Sequence, residues 1–519
     1  MTLRVDQDAN PDLSNRYGDW GWPATIIFAP GGTELVKRRG YIAPEEMTAL
    51  LEAVIADPTP GPSVDEHVQV TPAESHLLST AQREDLIARS REAYDESFSG
   101  WGDGQKFIDV DAMDWLLMQA QLDGGEAIKK ARQTLDAALQ LIDPVSGGIY
   151  QYSDTPDWKS PHYEKIMWYQ ANGLRQYAQA YASWKDPRYL AAAHSLYGYL
   201  TTKLGAPDGG FYTSQDADID EKLPGKVFYG ADAQGRRSLG REPRIDTSQY
   251  ARENGWAISA LAAYYSATGE RAALEIAEKS ARVMMASRRN ADGVFRHAAF
   301  DRGGPYLGDT LAMGQAALDL YAATGNRDWL TLAARCGSVI NSRFKDDGGG
   351  FLTSLQTEST AGVFLKPVKP IDEQTQVVRF ANRLYRYVGS AEFDAMAEHG
   401  GRYLAAAAIF DQPRPFPGIL LVDHEIRFDP THITIVGRKS DATAIALHSA
   451  ARGIAAAYKR IDWWDADEGP LPNPDVTYPK LDEAAAFICT NRICSLPMFT
   501  PADMLETLQR ISATNARPK

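Results

Sequence analysis

The run Trp158-Lys159-Ser160-Pro161-His162-Tyr163-Glu164-Lys165 brings an imidazole, a carboxyl and an ammonium within four residues. His162 suits acid–base work near neutral pH, with Glu164 and Lys165 beside it as binding groups. Ser160 reads as an N-cap and Pro161 as a first helical residue. That places all three in the first turn of a helix, beside its partly positive end. At helical spacing His162, Lys165 and Tyr169 share one side, and Glu164 and Trp168 share another. The three groups therefore do not converge on one ligand atom. The same residues also fit a plain helix start, in which they satisfy loop carbonyls and the helix dipole.

Three further runs carry chemistry. Gln215-Asp216-Ala217-Asp218 offers amide and carboxylate groups for clamping sugar hydroxyls, or one half of a carboxylate pair for glycoside cleavage. It is not a calcium hand, because Glu221 and Val227 stand where that motif needs glycine and glutamate. A solvated acidic loop is the plainer reading. Arg296-His297 follows a Gly-Phe turn, and His297 could oppose His162 across a sugar ring for proton transfer. A lone surface histidine is the plainer alternative. Trp101, Trp158, Tyr212 and Tyr306 sit beside glycine-rich loops and offer flat apolar faces, or simply plug those loops. The catalytic set is therefore His162, Asp216, Asp218 and His297. The binding set is Trp158, Glu164, Lys165, Tyr212, Gln215 and Asn254. No metal ligand set or cofactor motif is read, and the expected ligand is a sugar or another small molecule.

These residues need a frame. From about residue 78 the chain reads as successive amphipathic helices near 80–98, 109–122, 124–141, 162–183, 187–203, 247–268, 270–289, 309–324, 326–343, 373–388 and 392–410. Between helix pairs a punctuation recurs: Gly147-Gly148-Ile149-Tyr150, Gly209-Gly210-Phe211-Tyr212, Gly293-Val294-Phe295 and Gly349-Gly350-Phe351. Helical hairpins alternating with Gly-aromatic loops form an internal repeat. The repeat is too long and irregular for a solenoid. It fits a mainly α fold, an (α/α)6 toroid over 79–430. The loops 100–108, 143–161, 204–246, 291–308 and 345–372 then build its concave face.

The flanks differ. In segment 1–57, Val5–Asp8 reads as a strand end and Asn10–Tyr17 as a helix. Ala24–Phe28 and Glu34–Arg39 read as strands, and Pro44–Ala56 as an amphipathic helix. A Pro-rich linker follows at 58–78. Segment 431–519 reads as a small α/β element, with strands at His432–Gly437 and Ala485–Cys489 and a helix over Asp441–Tyr458. Cys489 and Cys494 lack the further ligands of a zinc site. They read as two structural thiols, or as a local disulfide or redox pair.

Composition bounds the class. A net charge of −14 without a long Lys/Arg cluster argues against nucleic acid. No apolar run reaches membrane-span length, and the first 25 residues lack a signal-peptide pattern. Three cysteines make no disulfide framework, which fits a cytoplasmic setting. Nothing in the sequence fixes an oligomeric state.

Several of these runs carry a resemblance. Val5–Phe28 with Gly31–Val54 resembles the second half of a thioredoxin domain, with Pro23 at that fold's cis-proline position. The half with the central strand and the Cys-x-x-Cys helix has no counterpart, so that dithiol route is closed to this chain. Either Met1 is not the biological start, or the segment is a degenerate half-domain. The runs Ser99–Phe107, Trp158–Lys165, Gly209–Asp218, Glu253-Asn254-Gly255 and Cys489–Cys494 resemble, in order, the thioredoxin-domain, six-hairpin-glycosidase-like family of spermatogenesis-associated proteins. That resemblance implies a partial thioredoxin-like segment ahead of a toroid like those of sugar epimerases and glycosidases. It does not imply a settled activity. The chain departs from the family pattern at Leu307-Gly308-Asp309-Thr310 and at Ile371–Gln376. The expected function is a carbohydrate-active protein, a sugar epimerase or isomerase or a glycoside hydrolase acting in the toroid. The alternative is a non-catalytic or redox-linked scaffold.

Overall fold

The structure is a computed structural model that describes residues 2–64, 70–102, 104–122, 124–301, 303–358, 360–490 and 493–515. Residues 65–69 of the expected linker, Asp103 of the first glycine loop and 491–492 between the cysteines lie outside the described residues.

The N-terminal segment holds helix α1 (Pro11–Tyr17), the antiparallel hairpin β1 (Ala24–Phe28) and β2 (Glu34–Arg39), and helix α2 (Pro44–Ala56). Trp22–Pro23 is cis. Residues 5–8 form no strand; the Asp6 carboxylate instead accepts from the Asp8 and Ala9 N–H groups and ties them into a turn.

Helices α3 (Thr80–Glu92), α4 (Val110–Leu122), α5 (Glu126–Ala138), α6 (Met167–Trp184) and α7 (Pro187–Thr202) begin the toroid. Ser79 and Gln82 close a capping box on α3. The loop before α6 carries the short strands β3 (Tyr152–Ser153), β4 (Pro161–His162) and β5 (Lys165–Ile166), and the loop after α7 carries β6 (Ser214–Gln215) and β7 (Ile245–Asp246). Two short helices, α8 (Gly225–Tyr229) and α9 (Ala233–Ser238), lie between β6 and β7. Then follow α10 (Ala251–Thr268), α11 (Arg271–Ser287), α12 (Leu307–Thr324), α13 (Arg327–Arg343), α14 (Ile371–Val388), α15 (Ala391–Leu404), α16 (Ala407–Phe410) and α17 (Pro417–Arg427).

Helices α4, α6, α10, α12, α14 and α17 form the inner ring, and α17 packs against both α14 and α4 to close it. Helices α5, α7, α11, α13 and α15 return outside their partners, and α3 backs α17. Three inner helices, α10, α12 and α14, end on Gly269, Gly325 and Gly389 at φ 79°, 69° and 71°, a left-handed cap that glycine adopts at no steric cost. The outer helix then starts within two residues, which makes the hairpin. Gly255 lets α10 and α12 close up, because a Cβ there would lie 2.7 Å from the Ala312 carbonyl carbon. The sixth inner helix, α17, was not legible in the sequence. Pro413, Pro415 and Pro417 punctuate its start, and its Ile419–Val422 run is buried rather than amphipathic.

The C-terminal element is a four-stranded sheet. Its strands are β8 (Thr431–Val436), β9 (Lys459–Trp464), β10 (Ala485–Thr490) and β11 (Ile493–Cys494), in the order β11-β10-β8-β9. The parallel pair β8 and β9 is bridged by α18 (Ala442–Arg452), and α19 (Pro501–Asn515) follows the sheet. The sheet docks on the toroid through polar pins. The Tyr321 hydroxyl donates to Asp462 at 2.8 Å, and the Ile461 N–H donates to the Tyr387 hydroxyl at 3.1 Å. Cys489 and Cys494 face each other across β10 and β11 as a disulfide, not as two free thiols. Cys336 is free and buried.

Candidate functional site

The stretch 158–166 is extended, and the helix begins only at Met167. Ser160 does not cap it. Its N–H points to the Ser153 hydroxyl at 3.3 Å and its carbonyl accepts from Asp154 at 2.7 Å. Pro161 and His162 pair with Ser153 and Tyr152, and Lys165 pairs with Gln215. In an extended chain alternate side chains share a face, so the helical grouping of His162 with Lys165 is replaced by His162 with Glu164, 3.9 Å apart. His162 stacks on Tyr152 at 4.8 Å. Burial, with Asp8 and Asp216 nearby, raises Glu164 to about 7.

Lys165 turns inward and is fully buried. Its Nζ donates to Asp143 and to the Gly147 carbonyl, both at 2.7 Å, and lies 4.5–5.2 Å from the ring centres of Tyr150, Tyr199 and Tyr229. Arg236 grips the same carboxylate with two bonds, at 2.7 and 2.8 Å. The remaining residues of the expected site also hold loops in place. Buried Trp158 donates from Nε1 to the Phe98 carbonyl at 2.8 Å. Gln215 accepts from the Tyr199 hydroxyl and donates to the Pro243 carbonyl. Asp216 pairs with Arg244 at 3.0 Å, and Asp218 accepts from the Gly225 N–H at 2.5 Å. Half-buried Tyr212 packs on the core. Asn254 is buried and bound to the backbone of Phe211 and Tyr250.

His297 is buried, not at the surface. One ring nitrogen meets Asp309 at 2.9 Å, the other meets the Asp8 carbonyl at 2.6 Å, and Tyr250 stacks on the ring at 4.1 Å. Both nitrogens are used, so nothing is left to face a substrate. None of the ten residues read from the sequence lines the central cavity.

That cavity, about 610 Å³, runs along the axis of the inner ring. Each inner helix presents one stripe to it: Trp168, Asn172, Arg175 and Gln179 from α6, and Asp372, Gln376, Arg379 and Arg383 from α14. This is the i, i+4, i+7, i+11 spacing of a single helix face. Polar side chains on that face of otherwise apolar helices were a signal present in the sequence and not used. Asp111 lies in the first turn of α4, with Asp372 and Glu373 in the first turn of α14, next to the loop end of the ring. The indoles of Trp168 and Trp256 meet edge to face at 4.7 Å on the wall. The N-terminal segment reaches this end too. Asn15 of α1 lines the cavity and donates to the Thr353 hydroxyl at 2.5 Å. Both runs that depart from the family pattern fall here. Gly308 leaves room for Glu373, because a Cβ at 308 would lie 3.2 Å from its Oε1.

The charges on the wall differ in how they are answered. Arg175 meets Asp114 at 2.9 Å, Arg379 meets Glu425 at 2.8 Å, and Arg383 meets Asp319 at 2.7 Å. Among the described residues Asp111 is met by the Gln376 amide alone, at 3.5 Å. Burial, then the neighbouring carboxylate of Asp372, raises Asp111 to about 8. Burial raises Glu373 to about 7 against the opposing pull of the Thr353 hydroxyl and Arg252, and its Oε2 has no partner among the described residues. Burial thus biases both carboxyls, and the neighbouring Asp372, toward their protonated forms. No group of His, Cys, Asp and Glu side chains among the described residues is arranged to hold a metal ion, and no described helix is long and apolar enough to cross a membrane.

The chain is homologous to spermatogenesis-associated protein 20 over most of its length. It aligns with the human protein at 21% identity over 98% of this chain and 83% of that one. With the mouse protein it shares 32% identity over 44% of this chain and 34% of that one. No family model matches the chain. Among solved structures it is similar to a sugar epimerase from a ruminal bacterium, at 14% identity over 63% of this chain and 86% of that one, TM-score 0.50. It is similar to cellobiose 2-epimerase from Bacillus thermoamylovorans, at 10% identity over 62% and 86%, TM-score 0.50. It is also similar to a D-mannose isomerase, at 12% identity over 67% and 98%, TM-score 0.50. The fold is the six-hairpin (α/α)6 toroid of those proteins.

Proposed function

We propose that this homologue of spermatogenesis-associated protein 20 binds a sugar in the toroid cavity and acts on it by acid–base proton transfer, with Asp111 as acid and Glu373 as base. The observation that carries the reading is the grouping, at the loop end of one cavity, of these carboxyls with the Trp168–Trp256 pair. Indole faces take the apolar face of a sugar ring, and paired polar groups around them take its hydroxyls. Similarity in fold to sugar epimerases and a mannose isomerase supports the substrate class.

Two carboxyls whose environments set them apart can divide acid from base. Asp111, protonated at pH 7, donates to a sugar carbonyl oxygen. Glu373, ionised in part, takes the proton from the adjacent carbon. Return of the Glu373 proton to the neighbouring carbon, with Asp111 regaining a proton from that hydroxyl, gives isomerisation; its return to the opposite face of an enediol that has turned over, with Asp111 regaining the proton it gave, gives epimerisation. The test is incubation with aldoses and ketoses in D₂O, reading deuterium at the carbon next to the carbonyl by NMR. Exchange that disappears in Asp111→Asn and in Glu373→Gln is expected. Saturable sugar binding with no exchange would leave a sugar-binding scaffold, and neither binding nor exchange would end the reading.

A further inference from the structure

At the far end of the cavity from these carboxyls lies positive charge that no acid among the described residues answers. Arg452 is the last residue of α18 and lines the cavity floor, with 7% of its surface exposed. Its guanidinium lies 4.0 Å from the centre of the Tyr265 ring, and Nη2 donates to the Ser449 hydroxyl at 3.2 Å. Nε and Nη1 are buried and have no partner among the described residues. Burial lowers its pKa; the other groups that bear on it are Tyr265 and Arg271, and neither is a carboxylate.

Lys459 lines the same floor. Among the described residues its Nζ donates to backbone alone, the Arg452 carbonyl at 2.9 Å and the Ile454 carbonyl at 2.6 Å. Burial, then Arg452, lowers it to about 8. His448 is a further base nearby. Burial, then Arg452, pushes it down to about 3, so it stays neutral. The arginines higher on the wall contrast with this group, since Arg175, Arg379 and Arg383 each meet a carboxylate at 2.7–2.9 Å.

A buried guanidinium with no counter-ion is strongly unfavourable unless something completes it. The free Nε–H and Nη1–H open on different edges of one planar guanidinium, an oxyanion can complete either, and stacking on Tyr265 holds that plane in place. We propose that Arg452, with Lys459, forms an oxyanion subsite at the cavity floor, taking a phosphate, sulfate or carboxylate group. The cavity wall runs from Trp168 to Ser183 along α6, about 22 Å at helical rise. One sugar ring does not span that distance from the Asp111 and Glu373 layer. The occupant is either a free anion or the charged end of a longer ligand that enters from the loop side. The second form deepens the sugar reading and rests on it; the first stands without it.

The experiment titrates sodium phosphate, sodium sulfate, glucose 6-phosphate and glucuronate into the full chain by calorimetry at constant ionic strength, with sodium chloride as the control. At least one saturable one-to-one isotherm is expected, weakened at least tenfold in Arg452→Gln and less in Arg452→Lys. Binding of the inorganic anions alone identifies a free oxyanion, and binding of the sugar acids alone identifies one carried on the ligand. No isotherm beyond chloride, or equal affinity in Arg452→Gln, overturns the proposal. Should Arg452→Gln not fold, phenylglyoxal labelling of the unaltered protein decides. Slower modification of Arg452 in phosphate or glucose 6-phosphate supports the subsite, and no protection overturns it. The inorganic arm uses neither sugar nor the carboxyls, so its failure is distinct from failure of the proton-transfer reading.

Discussion

Asn254 closes on both backbone polar groups of Phe211, accepting its N–H at 2.8 Å and donating to its carbonyl at 3.2 Å. The device repeats around the ring. Gln170 holds Ile149 at 2.8 and 2.6 Å, and Gln374 holds Phe351 at 2.7 and 2.8 Å. Three of the four Gly-aromatic loops are thus fastened by an amide from the inner helix that follows, and at the fourth the Thr310 hydroxyl of α12 accepts the Phe295 N–H at 3.1 Å. Asn254→Ala leaves a buried N–H and a buried carbonyl unpaired, at about 1–3 kcal/mol each. A loss of about 3 kcal/mol in urea unfolding is expected. A loss below about 1 kcal/mol would mean that water replaces the amide.

Asp143 serves two buried cations, Lys165 and Arg236. Burial raises its pKa, but the bonds from Arg236 and Lys165 outweigh this and hold it near 2. Its contribution is present above the ordinary carboxylate range and is lost as pH falls through about 2. Asp143→Asn strands both cations and should cost about 3–5 kcal/mol. Lys165→Met leaves the Asp143–Arg236 fork intact and should cost less. Equal losses in the two variants would show that the cluster does not turn on Asp143.

The ring was legible because its helices repeat with glycine-aromatic punctuation, and the boundaries of α7, α12 and α13 fall within two residues of expectation. The site was not legible from the same signals. His162, Asp216 and His297 stand out because histidines and acids in loops attract attention. Yet in the fold a loop beside a toroid must first be fastened, and these residues do that. Extended pairing of 161–166 with β3 and β6 also overrode the Ser160-Pro161 cap signal, since tertiary hydrogen bonds outweigh a local preference. Asp111 and Glu373 look ordinary as first-turn acids. Only ring closure shows that they face a cavity rather than water.

His297 ties the N-terminal segment to the toroid through the Asp8 carbonyl. Burial pulls its pKa down, but Asp309 outweighs that and raises it to about 9. A raised base stabilises fully below its unfolded value and loses that contribution as pH rises through about 9. Asp8, raised to about 6 by burial and then by Glu253, loses stability in the same direction at lower pH. Amide-exchange protection of residues 8–17, corrected for intrinsic rates, should therefore fall between pH 6.5 and about 9. In His297→Gln the protection should be low throughout and flat above pH 7. A profile in the variant that follows the unaltered protein would sink this account.

Asp111 and Glu373 are carboxyls that the fold prefers uncharged. For raised acids the sign is fixed: their contribution is complete below the ordinary carboxylate range and is lost as pH rises through about 7 for Glu373 and about 8 for Asp111. Glu373→Gln cannot ionise, so it should match the unaltered protein at pH 4 and exceed it at pH 9, by on the order of 2 kcal/mol. Asp111→Asn should behave likewise, with its gain continuing to grow to about pH 8. Both should lose deuterium exchange into sugar while gaining stability. That pairing separates a working site from a structural one, because a residue kept only for the fold does not make the protein more stable when it is neutralised. Urea unfolding at pH 4, 7 and 9 measures it, and a variant less stable than the parent at pH 9 would place that carboxyl among the fasteners of the fold.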